Sequence, residues 1–324
     1  YDLEWYPSDY KDESLRLQLR CATLYDGEQF FTFYSIEDFL NECLQTKYAG
    51  AWFFAHYGGR FDFNFLLPAI VKSNFKTELY FSASSVVRAE VTVGRRVWSF
   101  CDSQFFFDIP LRLLGEAVGL EKLDCPFDAP LAQLVEYNQR DCEILHRAVE
   151  WLQDVVLELG GELRRTIAST ALGLFRRAYQ TDIIRTSTVL NRQIESGYVG
   201  GRVEVFRNHL DWGYEHDRNS SYPDSMACGP LPSTLLHTND DWESSKQCIA
   251  HVRVKVPRCH VAPLPYRHNG TLLFPTGEFE GWYHTADLQL LLECGGRVEH
   301  TYEAHHFADC NDFADYVHSI YDLR

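Results

Sequence analysis

Four acidic residues and one tyrosine are spaced along this chain so that they could assemble a metal-dependent site. They are Asp2, Glu4, Asp62, Tyr137 and Asp141. Side chains two apart on an extended strand point the same way, which places Asp2 and Glu4 on one face. Residues four apart on a helix also share a face, so Tyr137 and Asp141 project together. The spacing predicts two half-sites that carry carboxylate oxygens.

Asp62 supplies the remaining carboxylate at the end of a predicted element. It follows an apolar run at 51–55, which indicates a buried strand, and a flexible glycine pair at 58–59; a helix is predicted at 63–71. Hard cations such as Mg²⁺ or Mn²⁺ prefer carboxylate oxygens, and two of them about 3.5–4 Å apart stabilise the attacking and leaving oxygens at phosphorus. The set therefore predicts a two-metal site for phosphodiester hydrolysis.

The length and composition of the chain limit the classes of protein to which it can belong. A chain of 324 residues with 45% hydrophobic content exceeds one comfortable core, so two domains are expected. No apolar run approaches the roughly 20 residues that cross a bilayer, which predicts a soluble, intracellular protein without a membrane partner. The ten cysteines and thirteen histidines lack zinc-site spacing and indicate reduced thiols. The chain begins at Tyr1 and its single methionine is Met226, so further residues are expected upstream.

The charge is strongly but unevenly acidic. A net charge of −16 argues against a general polyanion binder, because Lys and Arg supply non-specific DNA affinity by neutralising phosphates. Arginines nevertheless concentrate in one segment: Arg164, Arg165, Arg176, Arg177, Arg185, Arg192, Arg202 and Arg207. A local basic track on an acidic body can hold a nucleic-acid strand.

Hydrophobic periodicity predicts where these residues sit. Strands are predicted around Asp2 and at 15–25, 29–33, 51–55, 85–93 and 96–107, with helices after Ser35 and at 63–71, 111–118 and 131–157. This mixture indicates an α/β domain over 1–160. Further along, the patterns predict a basic helix at 164–179, a glycine turn at 197–201, strands at 202–206, 249–256 and 272–274, and a helix at 285–293.

Five motifs in this order resemble those of family B DNA polymerases, most closely the protein-primed group of phages and linear plasmids. They are Asp2-Leu3-Glu4, Ala55-His56-Tyr57-Gly58-Gly59-Arg60-Phe61-Asp62, Tyr137-Asn138-Gln139-Arg140-Asp141, Tyr198-Val199-Gly200-Gly201 and Asp217-Arg218-Asn219-Ser220-Ser221-Tyr222-Pro223. The first three resemble exonuclease motifs, the fourth a Tyr-x-Gly-Gly motif between exonuclease and polymerase domains, and the fifth polymerase motif A.

The resemblance implies an α/β fold class: an RNase H-like 3′→5′ exonuclease domain at 1–160, a basic connecting segment at 161–212 and an incomplete α+β polymerase palm at 213–324. It implies that Tyr137 orients the attacking water. It also implies two Mg²⁺ or Mn²⁺ ions, bound by Asp2, Glu4, Asp62 and Asp141, and a polymerase metal ligand at Asp217.

The resemblance further implies a set of DNA contacts. Tyr57 stands where the family usually has an Asn that holds the single-stranded 3′ end, and a Ser-Leu pair of the family falls at Pro110-Leu111. Tyr222 would lie under the sugar of an incoming nucleotide. The remaining implied DNA-binding residues are Phe61, Tyr198, Gly200, Gly201 and Arg202.

Nothing after residue 224 resembles polymerase motifs B and C. Polymerisation is therefore expected to need the remaining polymerase half, as a second chain or as further C-terminal residues, whereas exonuclease action needs only the first domain. The expected partner is DNA, as a single-stranded 3′ end or a primer-template; the insertion that engages a terminal protein is short or missing around 258–276, which leaves that partner open. Two alternatives stay open, a stand-alone 3′→5′ exonuclease and a non-catalytic DNA-binding or assembly module.

Overall fold

The computed structural model describes residues 1–6, 11–13, 17–126, 128–181, 186–209 and 211–323. They divide into two compact units, Tyr1–Ala178 and Tyr179–Arg324. Residues 15 and 16, at the start of one predicted strand, and Arg185 of the arginine-rich segment lie outside the described residues.

The first unit contains two β-sheets. Strands β1 (Asp2–Trp5), β2 (Leu19–Tyr25) and β3 (Phe30–Phe33) form an antiparallel sheet in that order. Strands β4 (Trp52–Ala55), β5 (Lys76–Ser82), β6 (Ser85–Val93) and β7 (Arg96–Asp102) form a second sheet in the order β4-β7-β6-β5. In this second sheet β4 runs parallel to β7. The backbone nitrogen of Tyr1 donates to the Phe54 carbonyl at 2.7 Å, which holds β1 against β4.

Helices of the first unit begin and end close to their predicted bounds. They are α1 (Ile36–Cys43), α2 (Phe63–Lys72), α3 (Leu111–Ala117), α4 (Leu131–Glu158) and α5 (Ile167–Leu174). Ser35 caps α1 as predicted, since its hydroxyl accepts a hydrogen bond from the Asp38 backbone nitrogen. The helix predicted at 164–179 is shorter at its start and ends in a π-helical stretch, Phe175–Tyr179.

The core of the first unit is aromatic. Phe39, Phe63, Trp98 and Phe100 are almost fully buried and belong to one hydrophobic cluster that includes residues of β1, β2 and α2. Burial of such large side chains is the dominant favourable term in folding. This cluster therefore fixes β1 and α2, which carry three of the predicted acidic residues.

A tight turn at Gly58-Gly59 connects β4 to α2. The Gly59 backbone nitrogen donates to Asp102 Oδ2 at 2.9 Å, so the turn is tied to the end of β7. A Cβ atom at Gly59 would lie 2.3 Å from the Val86 carbonyl oxygen and 2.7 Å from Asp102 Oδ2. Only glycine permits the turn to lie this close to β6 and β7, and this close packing sets the position of Asp62.

The second unit is built on an antiparallel sheet. It contains helices α6 (Thr188–Gly197), α7 (Ser221–Ala227), α8 (Thr285–Glu293) and α9 (Asp312–Tyr321). Its strands are β8 (Leu231–Asn239), β9 (Cys248–Val256), β10 (Tyr266–His268), β11 (Thr271–Leu273), β12 (Gly277–His284) and β13 (Arg297–Cys310). The main sheet has the order β12-β9-β13-β8, while β10 and β11 form a separate hairpin.

The strand predicted at 202–206 is wrong. These residues form no strand or helix, and Val203 is 91% exposed. The alternation of apolar and charged residues there has no packing partner in the second unit, so the pattern alone does not produce a strand. By contrast, β12 and β13 were not predicted; in β12 the charged residue Glu280 pairs with Arg253 of the neighbouring β9 at 2.9 Å.

No disulfide joins any of the ten cysteines, all of which lie in the described part of the chain. Among the helices described, none is long and apolar enough to span a membrane.

The Gly58-Gly59 turn generates a stability prediction. We expect Gly59→Ala to lower the free energy of unfolding by about 1–3 kcal/mol, because the added methyl group must displace the Val86 carbonyl or the Asp102 carboxylate. Urea denaturation followed by far-UV circular dichroism measures the change. Gly229→Ala is the matched control, since a Cβ there meets no atom within 4 Å. Equal effects of the two substitutions would contradict the packing argument.

Candidate active site

Strand β1 presents Asp2 and Glu4 on one face, as predicted. Leu3, between them, points into the core and is only 3% exposed. The strand pairs antiparallel with β2, and its register shifts between Glu4 and Trp5. The two carboxylates therefore lie on a short, anchored strand whose other face is held by the core.

Helix α4 lies across this sheet and brings Tyr137 and Asp141 to the same place. Asn138 Nδ2 donates to Asp2 Oδ2 at 2.9 Å. One turn later the Cys142 thiol lies 3.5 Å from the Thr23 carbonyl oxygen of β2. These contacts fix the helix against the strands so that the carboxylate of Asp141 faces those of β1.

Asp62 joins the same group from the start of α2. Its Oδ1 accepts a hydrogen bond from the Leu3 backbone nitrogen at 3.1 Å, and the residue is 3% exposed. Asp62 occupies the N-cap position of α2, yet its side chain makes no capping hydrogen bond there. The Asp62 carboxylate is thus directed to β1. The group of acids therefore draws on three separate elements, β1, α2 and α4.

Lys122 is a member of the site that sequence reasoning missed. Its Nζ donates to the Tyr137 hydroxyl at 2.7 Å, contacts the Asp141 carboxylate and lies 4.1 Å from the centre of the Tyr137 ring. The available signal was the charge balance, because four converging carboxylates require a cation nearby. Lys122 was missed because a lysine in a loop between acidic residues has the sequence pattern of an ordinary solvated residue.

Burial and mutual repulsion raise the pKa values of these acids. Burial raises the pKa of Asp2 well above its usual range, and the charges of Glu4 and Asp62 raise it further. Burial, followed by the charge of Asp141, raises the pKa of Glu4 to about 7. The pKa of Asp62 is also raised to about 7, mainly by burial. The pKa of Asp141 is raised by burial against the opposing effect of Lys122.

The donor chemistry of this group suits hard divalent cations. Its donors are carboxylate oxygens with an excess of negative charge, and Asp141 Oδ1 is buried without a hydrogen-bond partner in the described part of the chain. Within the same residues, no three His, Cys, Asp or Glu side chains are arranged to hold a metal ion. The carboxylates are close enough to perturb one another, while Asp141 is paired with Lys122.

Two of the predicted DNA-contacting residues of the first unit, Tyr57 and Phe61, lie on the turn before Asp62, and the third is Leu111. Tyr57 adopts the left-handed conformation with φ of 55°, and its ring centre lies 4.5 Å from that of His56. Phe61 is 54% exposed. Leu111 begins α3 and is half-buried. Tyr57 is partly exposed, and the role of all three residues stays a prediction.

The second unit brings two of the remaining motifs together. A Cβ atom on Gly201 would lie 3.6 Å from the hydroxyl of Tyr222, so the glycine motif touches the start of α7. Tyr198 and Gly200 are exposed, and Tyr222 is 75% exposed. Asp217 is exposed in an irregular segment, and no group of acids suited to a metal ion surrounds it among the described residues.

Arg202 is held by contacts within its own unit. Its Nε donates to Glu204 Oε2 at 2.6 Å and its Nη1 to the Ala262 carbonyl at 2.7 Å. The guanidinium also lies 3.9 Å from the centre of the Phe274 ring. A phosphate contact at this residue would therefore have to replace existing partners.

Comparison with known proteins identifies similar sequences. Residues 130–324, more than half of the chain, match the family described as DNA polymerase type B, organellar and viral. The chain is 27% identical over 217 residues to the DNA-directed DNA polymerase of Enterobacteria phage PRD1, covering 62% of this chain and 36% of that protein. It is 26% identical to a probable DNA polymerase of Ascobolus immersus, covering 59% of this chain and 17% of the relative. The chain thus spans about a third or less of the length of these relatives.

Solved structures have the same fold. A phi29 DNA polymerase complexed with primer-template DNA and incoming nucleotide substrates superposes with a TM-score of 0.71 at 17% identity, covering 91% of this chain and 58% of that one. A phi29 DNA polymerase complexed with single-stranded DNA superposes with a TM-score of 0.66 and covers 92% of this chain and 58% of that one, also at 17% identity. The predicted mixed α/β fold class is confirmed.

The raised pKa values predict how stability depends on pH. The pKa values of Glu4 and Asp62 are 4.5 and 3.8 in an unfolded chain and about 7 in the folded one. Between these pH values the folded state therefore binds more protons than the unfolded state. Without divalent cations, the free energy of unfolding should therefore fall as the pH rises from about 4 to 7. Asp62→Asn should make this fall shallower, because asparagine keeps the acceptor for Leu3 but carries no charge.

Urea denaturation in EDTA at a series of pH values measures this dependence. Glu158→Gln, on the exposed end of α4, is the control and should retain the full fall. An unchanged slope in Asp62→Asn would show that burial of the Asp62 charge does not affect stability.

Proposed function

Because the chain belongs to the organellar and viral type B DNA polymerases, we propose that its first unit is a 3′→5′ exonuclease acting on single-stranded DNA ends. The observation that carries this proposal is the convergence of β1, α2 and α4, joined by the Asp62–Leu3 and Asn138–Asp2 hydrogen bonds. Acids from three distant parts of the chain meet there in spite of their repulsion. A purely structural role would not favour such a group.

In this function the four carboxylates would hold two Mg²⁺ or Mn²⁺ ions. The bound ions would lower the pKa of a water molecule and stabilise the charge that develops on the phosphate oxygens. Asp2, Glu4, Asp62 and Asp141 provide the hard oxygen ligands. Burial and the neighbouring acids raise the pKa values of Asp2, Glu4 and Asp62, so added positive charge would favour their ionised forms.

Tyr137 acts as a hydrogen-bond donor in this proposal. Burial, followed by the charge of Asp141, raises the pKa of its phenol, so the hydroxyl stays protonated and cannot serve as a base at neutral pH. Lys122 holds the hydroxyl at 2.7 Å and also contacts Asp141. The tyrosine can therefore orient an attacking water, while Lys122 fixes the tyrosine relative to the metal ligand.

We further propose that the three segments 1–160, 161–212 and 213–324 correspond to the exonuclease domain, a connecting segment and the first part of a polymerase palm. Asp217 would be one metal ligand of the polymerase site, and Tyr222 would lie below the sugar of the nucleotide. DNA synthesis would also require motifs B and C. The expected partners are DNA and the remaining part of the polymerase.

The carboxylate pair on β1 provides the direct test. We expect the purified chain with Mg²⁺ to shorten a labelled single-stranded oligonucleotide from its 3′ end and not to extend a primed template. Asp2→Ala combined with Glu4→Ala should reduce cleavage at least about 100-fold and abolish Mn²⁺ binding in calorimetry. The matched control is Glu150→Ala with Asp154→Ala, two exposed acids of α4. Unchanged shortening by the β1 variant would contradict the proposed site.

Tyr137 and Asp141 should give different responses. Tyr137→Phe removes only the hydroxyl, so we expect cleavage to slow by about 10- to 100-fold while Mn²⁺ affinity stays the same. Asp141→Ala should lose both cleavage and metal affinity. Parallel calorimetry and single-turnover cleavage separate these effects. Equal loss of metal binding in both variants would contradict the roles proposed for the two residues.

A further inference from the structure

Asn138 is a fully buried amide inside helix α4. Its exposed fraction is 0%, and the helix that contains it is 28 residues long. Asparagine is unfavourable in helix interiors, because its side chain competes for backbone hydrogen bonds. The amide of Asn138 is therefore expected to have a role outside its own helix.

Within the described part of the chain, only one of the two polar atoms of this amide has a partner. Nδ2 donates to Asp2 Oδ2 at 2.9 Å, whereas Oδ1 is buried without a hydrogen bond. An unpaired buried carbonyl oxygen costs free energy, because it has lost its contacts with water and gained none in exchange. A side chain that served only to attach α4 to β1 would be expected to satisfy both atoms.

The unpaired oxygen lies beside the acids of the candidate site. The nitrogen and the oxygen of the amide share one carbon atom, so Asn138 Oδ1 is next to the carboxylate of Asp2. Asp141 follows three residues later on α4, and residues at this spacing are neighbours on the surface of a helix. Asn138 Oδ1 is thus close to two of the four carboxylates.

Thr23 provides a second unpaired oxygen next to Asp2. The two residues are directly opposite each other in the pairing of β1 with β2, so their side chains lie on one face of the sheet. Thr23 Oγ1 is buried and has no hydrogen-bond partner among the residues described. The Cys142 thiol lies 3.5 Å from the Thr23 carbonyl oxygen, which places α4 over this face. The polar surroundings of Asp2 therefore extend beyond its one hydrogen bond.

The charges around Asn138 indicate the chemistry of the missing partner. Lys122 forms an ion pair with Asp141, whereas Asp2 receives a neutral amide and keeps its negative charge. The carbonyl oxygen of an asparagine can only accept hydrogen bonds, so its partner must be a donor. A hydrated Mg²⁺ ion offers such donors, because Mg²⁺ loses water reluctantly and is usually bound with several water molecules.

We propose that Asn138 is a positioning residue of the candidate metal site. Its nitrogen orients the Asp2 carboxylate, and its oxygen accepts a hydrogen bond from a water molecule of the hydrated ion that Asp2 binds. Asn138 therefore favours Mg²⁺, which keeps its water, over Ca²⁺, which takes more of its ligands from the protein. The inference rests on the proposed function, because that function requires a metal ion at Asp2.

Calorimetric titration of the purified chain with Mg²⁺ and with Ca²⁺ tests this role. Asn138→Leu has a similar shape but lacks both polar atoms, so we expect the Mg²⁺ affinity to fall about 10- to 100-fold, as it does when a metal ligand loses its supporting hydrogen bond. The Ca²⁺ affinity should fall less, because Ca²⁺ depends less on retained water. Asn138→Ala removes the same atoms without adding bulk and should give the same change, which keeps the test valid if Asn138→Leu does not fold.

Cys142→Ala is the matched control. It removes a different contact between α4 and β2 and leaves the amide of Asn138 in place. We expect a lower free energy of unfolding with an unchanged ratio of Mg²⁺ to Ca²⁺ affinity. Urea denaturation in EDTA, applied to every variant, separates loss of folding from loss of metal binding.

Three results would overturn the assignment: an unchanged Mg²⁺ affinity in both Asn138 variants, an equal fall for Mg²⁺ and Ca²⁺, or an equal fall in Cys142→Ala. Failure of the unmodified chain to bind Mg²⁺ would refute the assignment together with the metal site. Binding of Mg²⁺ without cleavage of single-stranded DNA would refute the proposed function alone, because the affinities are measured without DNA.

Discussion

Repulsion among buried carboxylates is the constraint that organises the first unit. Asp2, Glu4, Asp62 and Asp141 meet where burial and mutual charge disfavour ionisation, and the raised pKa values record that cost. An unrestrained chain would separate them. They stay together because each is attached to an element that the aromatic core or the sheet already fixes.

The attachments are specific hydrogen bonds. Asp62 is held by the Leu3 backbone nitrogen, and Asp2 by the amide of Asn138, one turn before Cys142 on α4. Lys122 partly neutralises Asp141. These contacts hold the acidic side chains together in spite of their burial, and such perturbed groups are more common at functional sites than in purely structural ones.

Two glycines permit close packing of the backbone next to the candidate sites. Gly59 lets the turn after β4 approach β6 and the end of β7, and this approach sets the position of Asp62. On the same turn, Phe61 is exposed although the next residue, Asp62, is buried. In the second unit, Gly201 lies against Tyr222, which brings a glycine motif to the start of α7. In both units a small residue permits close packing next to a candidate site.

The sequence by itself determined the family, most elements of the first unit and the identity of the converging acids, because strand and helix periodicity fix which side chains share a face. It did not determine the role of Lys122, whose position depends on a loop that no periodic pattern describes. It suggested a strand at 202–206 that does not form, and it missed β12 and β13. Both strands pair antiparallel with β9, and in β12 the side chain of Glu280 also pairs with Arg253 of β9. Only the tertiary structure decides such contacts, because both their partners and their burial come from residues far away in the chain.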